Sequence, residues 1–290
     1  MVNSLYGQSK ISYLDARFQE TEKRKALYEM TETEQNDSIL KTIRFKEKKN
    51  IKATIIYSKE QPNYTFQTEF GSKGIKLNEG RFNKGKKDGN WLYFNDQGIL
   101  SHLKYFNEDV EFNYISYFPN GQKRKEVGVF KGEYEGLCTY YDLSGNIILQ
   151  GNYKKTRRIS DFKYFYTSKD SSLLEIADTN HSKDSSNTGA EILPEFPGGQ
   201  SAMLQYVANN LDYPEEAKNR GVEGKINVKF TVRKDGIIYD AFIISKETLG
   251  YGCERSSIEV IENMPNWTPG MSQGKPVPVY FNMPLHFRLY

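Results

Sequence analysis

The side chains able to do covalent, acid–base or metal chemistry are few in this chain of 290 residues, and they stand far apart. Its three histidines, His102, His181 and His286, fall in three different regions. That placement offers neither the short spacing of a metal cluster nor a local His–carboxylate dyad. Cys138 and Cys253 make no C-x-x-C pair and lie in different segments, which predicts free buried thiols rather than a disulfide or a metal site. The segment Gly270-Met-Ser-Gln-Gly274-Lys275-Pro276 has the outline of a phosphate loop. It is one residue short, puts Pro276 where a Ser or Thr would hold the metal, and precedes a strand pattern instead of a helix. The residues therefore predict no catalytic group, no metal and no cofactor: a binding protein, not an enzyme. A net charge of +3 spread along the chain predicts no nucleic-acid partner. No run approaches the roughly 18 apolar residues of a membrane span.

The chemistry left to such a chain is that of its main-chain donors and acceptors, and the last residues offer it in an unusual form. Val277, Val279, Phe281, Met283, Leu285, Phe287 and Leu289 share one parity, with polar residues and prolines on the other, the period of a half-buried strand. Pro278 and Pro284 share parity, so both remove N–H groups from the same side, which marks an edge strand. Between them Tyr280 and Asn282 still present main-chain groups to that edge. Residues Val279, Tyr280, Phe281, Asn282, Met283 and His286 are accordingly the candidate site for an extended peptide added as a further strand. Prolines that merely guard an edge against aggregation would give the same pattern.

That strand needs neighbours. Ile226, Val228, Phe230 and Val232 alternate with polar residues, Lys234-Asp235-Gly236 supplies a turn, and Ile237 to Ile244 follows at hairpin distance. Two helical stripes lie around them: Met203, Leu204, Val207, Ala208 and Leu211, and then Cys253, Ser257, Val260, Ile261 and Met264, ended by Pro265. Half-buried strands and one-sided helices must cover each other, which predicts a three-stranded antiparallel sheet backed by two helices over 193–290. Phe196-Pro197-Gly198-Gly199 reads as a turn into the first helix, and Trp267 as a packing anchor.

Taken in order, Phe196-Pro197-Gly198-Gly199, Tyr213-Pro214, Gly221, Gly224, Asp235-Gly236, Pro265-x-Trp267-x-Pro269-Gly270, Gly274-Lys275-Pro276-Val277 and Pro284-Leu285-x-Phe287 resemble the C-terminal domain of TonB-type energy transducers, in its Bacteroidetes form. The resemblance covers about 191–290. It implies a periplasmic or cell-envelope setting and, as partner, the TonB box of an outer-membrane TonB-dependent transporter. An energy transducer also carries an N-terminal membrane helix and a long Pro-rich spacer, and this sequence matches neither.

Upstream, residues 74–166 repeat with a period of 23 or 24 residues. Gly98, Gly121 and Gly145 close turns; Phe82, Phe106, Phe130 and Tyr153 form one aromatic column, and Phe94, Tyr117 and Tyr141 another. These units resemble MORN or YwqK-type antitoxin repeats, which implies an array of stacked β-hairpins with the aromatic columns as its core. Residues 1–73, with strand-like Ile51 to Tyr57 and Tyr64 to Phe70, read as degenerate units of the same array. Residues 167–192, rich in Ser, Asp, Asn, Thr and Lys, read as a flexible linker. The fold expected is thus α+β: hairpin array, linker, TonB-like domain. The start Met1-Val-Asn-Ser-Leu-Tyr-Gly-Gln8 reads as a trimmed signal segment. Basic residues near the hairpins leave envelope proteins or glycans as partners of the repeats, and a repeat scaffold or immunity-type protein with the C-terminal domain as adaptor is the alternative function. The scattered histidines and the failed phosphate loop generate one direct expectation: elemental analysis of the purified protein gives no stoichiometric transition metal, and nucleotides leave its melting temperature unchanged.

Overall fold

The structure, a computed structural model, describes residues 9–47, 49–159, 162–165 and 190–289. The expected linker, up to residue 189, and the signal-like start at 1–8 lie outside the described residues. Closely spaced turns make the N-terminal part a ladder of short strands: β1 (Lys10–Leu14), β2 (Tyr28–Gln35), β3 (Ser38–Phe45), β4 (Ile51–Ser58), β5 (Tyr64–Phe70), β6 (Lys76–Asn83), β7 (Lys86–Phe94), β8 (Leu100–Asn107), β9 (Val110–Tyr117), β10 (Lys123–Phe130), β11 (Glu133–Tyr141), β12 (Ile147–Lys154), β13 (Arg157–Arg158) and β14 (Lys163–Tyr164). Each of β1 to β12 lies beside the next strand in sequence, and β14 pairs with β12. Residues 9–73 supply five of these strands, as the reading of degenerate units anticipates.

Two turn types alternate along the ladder and account for its period. Lys84-Gly85, Glu108-Asp109, Lys131-Gly132 and Lys155-Thr156 hold both residues at positive φ, the twist-matched two-residue hairpin turn. Between them stand turns in which residue i exchanges main-chain hydrogen bonds with i+3 and i+4: Asn95 with Gly98 and Ile99, Phe118 with Gly121 and Gln122, Asp142 with Gly145 and Asn146. Asn95 Oδ1 also accepts from the N–H of Gln97 and Ile99 at 3.0 and 2.9 Å, and Asp142 Oδ1 from Ser144 and Asn146 at 2.9 and 2.8 Å. Burial pushes the Asp142 carboxyl up, but these donors outweigh it and hold the group below the usual carboxylate range. Asp15 repeats the arrangement with Phe18, at φ 58°, in the place of glycine, which is why the first hairpin carries no glycine signature.

The aromatic columns are corrected in one place. Phe130 is 60% exposed, and Val129 is buried instead. The turn after β10 starts one residue earlier than the turns after β6 and β8, and this shift exchanges the faces of the two side chains. The fully enclosed column is Trp91, Tyr114 and Cys138, three residues before the half-buried Phe94, Tyr117 and Tyr141. Gly80 lies flat against Trp91, close enough that a Cβ would meet the indole at 2.4 Å.

The chain divides into two compact units, Met1–Glu126 with Tyr140–Asn146, and Val127–Thr139 with Ile147–Tyr290. The second contains the C-terminal domain: α1 (Gly199–Asn210), α2 (Glu215–Asn219), β15 (Gly224–Val232), β16 (Ile238–Ile243), α3 (Cys253–Glu262), the hairpin β17 (Gly270–Ser272) and β18 (Lys275–Val277), and β19 (Val279–Phe287). The three-stranded antiparallel sheet runs β16-β15-β19. One-turn α2, after Tyr213-Pro214, is an addition to the two expected helices. The phosphate-loop look-alike is the β17–β18 hairpin, turned by Gln273 and Gly274 at φ 48° and 71°.

The two longer helices differ in how they are used. The stripe expected on α1 is rotated: Ala202, Met203, Tyr206 and Val207 are half-buried while Leu204 is 60% exposed. Helix α3 is enclosed on nearly every side, with Cys253, Ser257, Ile258 and Ile261 without exposed surface. Full burial of each isoleucine contributes about 1.5–3 kcal/mol. Residues of the last array strands supply part of that enclosure: Glu133 accepts from the Gly252 N–H at 2.7 Å, and Tyr134 Oη donates to Glu259 at 3.0 Å. Burial pushes the Glu133 carboxyl above its ordinary range against hydrogen bonds from Thr156 and Gly252. Both cysteines are buried and neither forms a disulfide, and burial pushes the Cys253 thiol up to about 12.

The packing sets two expectations. Gly236, at φ 77°, closes the β15–β16 turn with a position where a Cβ would lie 2.0 Å from the Trp267 carbonyl oxygen, whereas Gly121, at φ 85°, has open space. Gly121→Ala should cost about 1–2 kcal/mol of left-handed strain and Gly236→Ala clearly more, as urea unfolding of the two variants will read. Arg158 makes a buried ion pair with Asp240. Because its removal leaves that carboxylate uncompensated, Arg158→Ala should cost about 3–5 kcal/mol in the same measurement.

Candidate peptide-binding edge

A three-stranded sheet has two edges, and residues around this one treat them differently. β15 is central, paired along its whole length with β19 from Gly224↔Phe287 to Val232↔Val279 and, with a bulge between Lys229 and Thr231, with β16. The main-chain carbonyls at the β16 edge are met by side chains from the second unit's own array strands. Arg158 donates to the Asp240 carbonyl at 3.2 Å and Tyr153 Oη to that of Ala241 at 3.4 Å, and past the end of β16 Arg157 donates to the carbonyls of Ser245 and Lys246 at 2.8 and 2.9 Å. The Arg158 guanidinium lies between two rings, 4.1 Å from the centroid of Phe162 and 4.2 Å from that of Phe242. Cation–π contact and the Asp240 ion pair together explain how a guanidinium is held at so dry a position.

The β19 edge is the other case: among the described residues no strand pairs with its outer side. Pro284 stands opposite Asn227 in unbroken antiparallel register, and a residue without an N–H keeps that register only where the donor would point away from β15. The N–H groups of Tyr280 and Asn282, of the same parity, therefore point outward too. Pro278 and Pro284 bound this stretch at both ends. The side chains of the six candidate residues divide by parity. Val279 and Met283 are buried, and Phe281 stacks on Phe230 at 5.7 Å and meets Trp267 edge-on at 5.2 Å, so these three side chains face the core, while their main-chain groups, of the opposite parity to Tyr280 and Asn282, point to β15. Tyr280 is half-buried and Asn282 and His286 are exposed on the opposite face.

The inward face gives the edge its rigidity. Trp267 also meets Phe230 at 5.9 Å and Phe196 at 5.8 Å, and Phe196 reaches Tyr206 of α1 at 5.7 Å. Trp267 is thus the packing anchor its sequence context predicts. On the outward face Lys229 extends from the central strand over the Tyr280 ring, its ammonium 4.9 Å from the centroid. Reading strands one at a time misses Lys229, Tyr153 and Arg158, because each acts on a neighbouring strand. The only sequence signal for the last two is the aromatic and basic residues flanking the Lys155-Thr156 turn.

Residues 209–289 match the family model described as the Gram-negative bacterial TonB protein C-terminal. The match covers well under half of the chain and leaves the strand array outside it. No curated protein matches the chain. Among solved structures, the solution structure of the Helicobacter pylori TonB C-terminal domain aligns with 24% identity and a TM-score of 0.24, over 32% of this chain and 87% of that one. A point mutant of Staphylococcus aureus TarM, in complex with fondaparinux, alpha-GlcNAc-glycerol and UDP, aligns with 14% identity and a TM-score of 0.28, over 34% of this chain and 20% of that one. Scores this low carry no argument, and the assignment rests on the family match together with the ordered motifs. Residues 209–289 are a domain of the Gram-negative bacterial TonB C-terminal family.

Proposed function

We propose that this protein is a TonB-like cell-envelope protein that binds an extended peptide, the TonB box of an outer-membrane TonB-dependent transporter, by adding it as a fourth strand along β19. The carrying observation is that among the described residues no strand pairs with the outward side of β19 between Pro278 and Pro284, in a domain whose other edge strand is met by Arg158 and Tyr153. TonB-family proteins are envelope-associated and the family is non-enzymatic, which accords with a site made of backbone donors. Affinity in strand addition comes from main-chain hydrogen bonds, and selectivity from the side chains that alternate beside them. Tyr280 and Asn282 stand at the centre of the register, with His286 beyond Pro284. Among the described residues no helix is long and apolar enough to cross a membrane, a statement that does not extend to β-barrels. The peptide-binding half of the family's role is the part supported by this chain's residues, and the array is read as the scaffold that carries it.

Calorimetric titration with TonB-box peptides from the same organism's transporters tests this. Asn282→Pro removes one outward donor without touching the ladder to β15, as Pro284 already does, so the fold should survive. Affinity should fall by about 1–3 kcal/mol, and Tyr280→Ala should weaken binding less. Unchanged affinity in an Asn282→Pro variant that remains folded by circular dichroism would move the peptide elsewhere.

A further inference from the structure

The first unit contains a hollow that peptide binding at β19 does not use. Strands β3 to β6 are each paired on both sides, so their side chains alternate between the two faces of one sheet. Ile55 packs against the core cluster of Leu14, Ile43 and Ala53, and Ile56 therefore points to the other face. There the register sets Ile56 beside Phe66 and Phe66 beside Arg81, with Tyr64 two residues away along the same strand. Ile56 is 42% exposed and Phe66 41%, an apolar floor with no second layer over it among the described residues. At its side Gln35 stands opposite Ser38 and Ser38 opposite Ser58, and the Asn36-Asp37 turn completes a rim. Floor and rim bound a hollow of about 450 Å³. Small-molecule sites span about 300–1,000 Å³.

The rim is polar and its groups are available. Among the described residues the side chains of Gln35, Asn36 and Asp37 make no hydrogen bond and no ion pair. Arg81 is the opposite case: its guanidinium lies 4.8 Å from the centroid of the Tyr64 ring and pairs with Asp88, so its charge is already met. With that cation neutralised and the Asp37 carboxylate open, the hollow is unsuited to an anion. A pyranose fits it. One face of such a sugar is a patch of C–H groups that lies on an aromatic ring, and its adjacent hydroxyls donate to a carboxylate and exchange hydrogen bonds with amides. A protein partner fits poorly, because two exposed apolar side chains fall far short of the roughly 800 Å² per partner of a stable interface. Nor can a peptide add here as a strand, since no strand under the hollow has an open edge.

We propose that this hollow binds a pyranose unit of a neutral glycan, with Phe66 stacking on the sugar ring and Asp37 accepting from its hydroxyls. The site lies wholly within residues 35–81 and stands or falls independently of the β19 edge. Saturation-transfer NMR titration of the full chain tests it. The probes are the methyl glycosides of glucose, galactose, mannose and N-acetylglucosamine, with p-cresol and inorganic phosphate as contrasting ligands. At least one glycoside should bind with a Kd of about 1–10 mM, ordinary for a ligand of this size. Phe66→Ala should weaken it about fivefold, while Phe66→Tyr, which keeps the ring, retains it. Asp37→Asn, a change confined to an exposed turn, should weaken it about threefold to tenfold and leave the melting temperature unchanged. Absence of glycoside binding to the wild type, or glycoside binding that Phe66→Ala or Asp37→Asn leaves unchanged in a variant folded by circular dichroism, overturns the proposal. So does binding of p-cresol or phosphate ahead of every glycoside.

Discussion

Every sheet that does not close on itself ends in two rows of unpaired N–H and C=O groups, and the manner in which each row is met decides much of this molecule. At β16 the carbonyls of Asp240 and Ala241 receive donors from Arg158 and Tyr153. At β19 two prolines delete donors at the ends of the row and leave the middle intact. The same physical demand, satisfaction of exposed backbone groups, is thus answered by the protein's own side chains at one edge, and at the other it is the basis of the strand addition proposed above.

The covering of α3 depends on the same association of segments. A helix with Glu254, Arg255 and Glu262 buried beside Ile258 and Ile261 cannot stand on the sheet alone, because its polar groups need partners away from water. Glu254 satisfies the N–H groups of Leu249 and Gly250 at 2.6 and 3.0 Å, Arg255 pairs with Glu259 at 2.6 Å, and Tyr134 and Glu133 complete the shell. Residues 127–139, 147–159 and 162–165 are therefore part of this domain's packing, and the family match beginning at 209 marks a narrower segment than the one that holds together.

What could be read from the sequence was what one strand or one turn decides by itself. Period-two alternation located β15 and β19, glycine spacing located the array turns, and the parity of Pro278 and Pro284 identified an edge, since a missing donor has the same consequence in any sheet. The face of Phe130 was not legible, because it depends on a one-residue shift in where a turn begins. Nor was the rotation of α1, whose apolar residues are too few to fix a stripe. Lys229 and Arg158 were silent for a different reason. Each finds its partner on another strand, and single-sequence patterns carry no pairing information.

The alternation of turn types in the array has a consequence for how such a chain can change. A two-residue turn followed by a glycine-closed one returns the chain to the same face and direction after 23 or 24 residues, so a whole unit can be duplicated or lost in a gene without altering the register of its neighbours. The unit carrying Glu133, Tyr134, Tyr153 and Arg158 does not share that freedom, being fitted to α3 and β16. Variation in array length among descendants of this gene is thereby confined to the stretch before residue 127, with the last hairpins inherited together with the domain they brace.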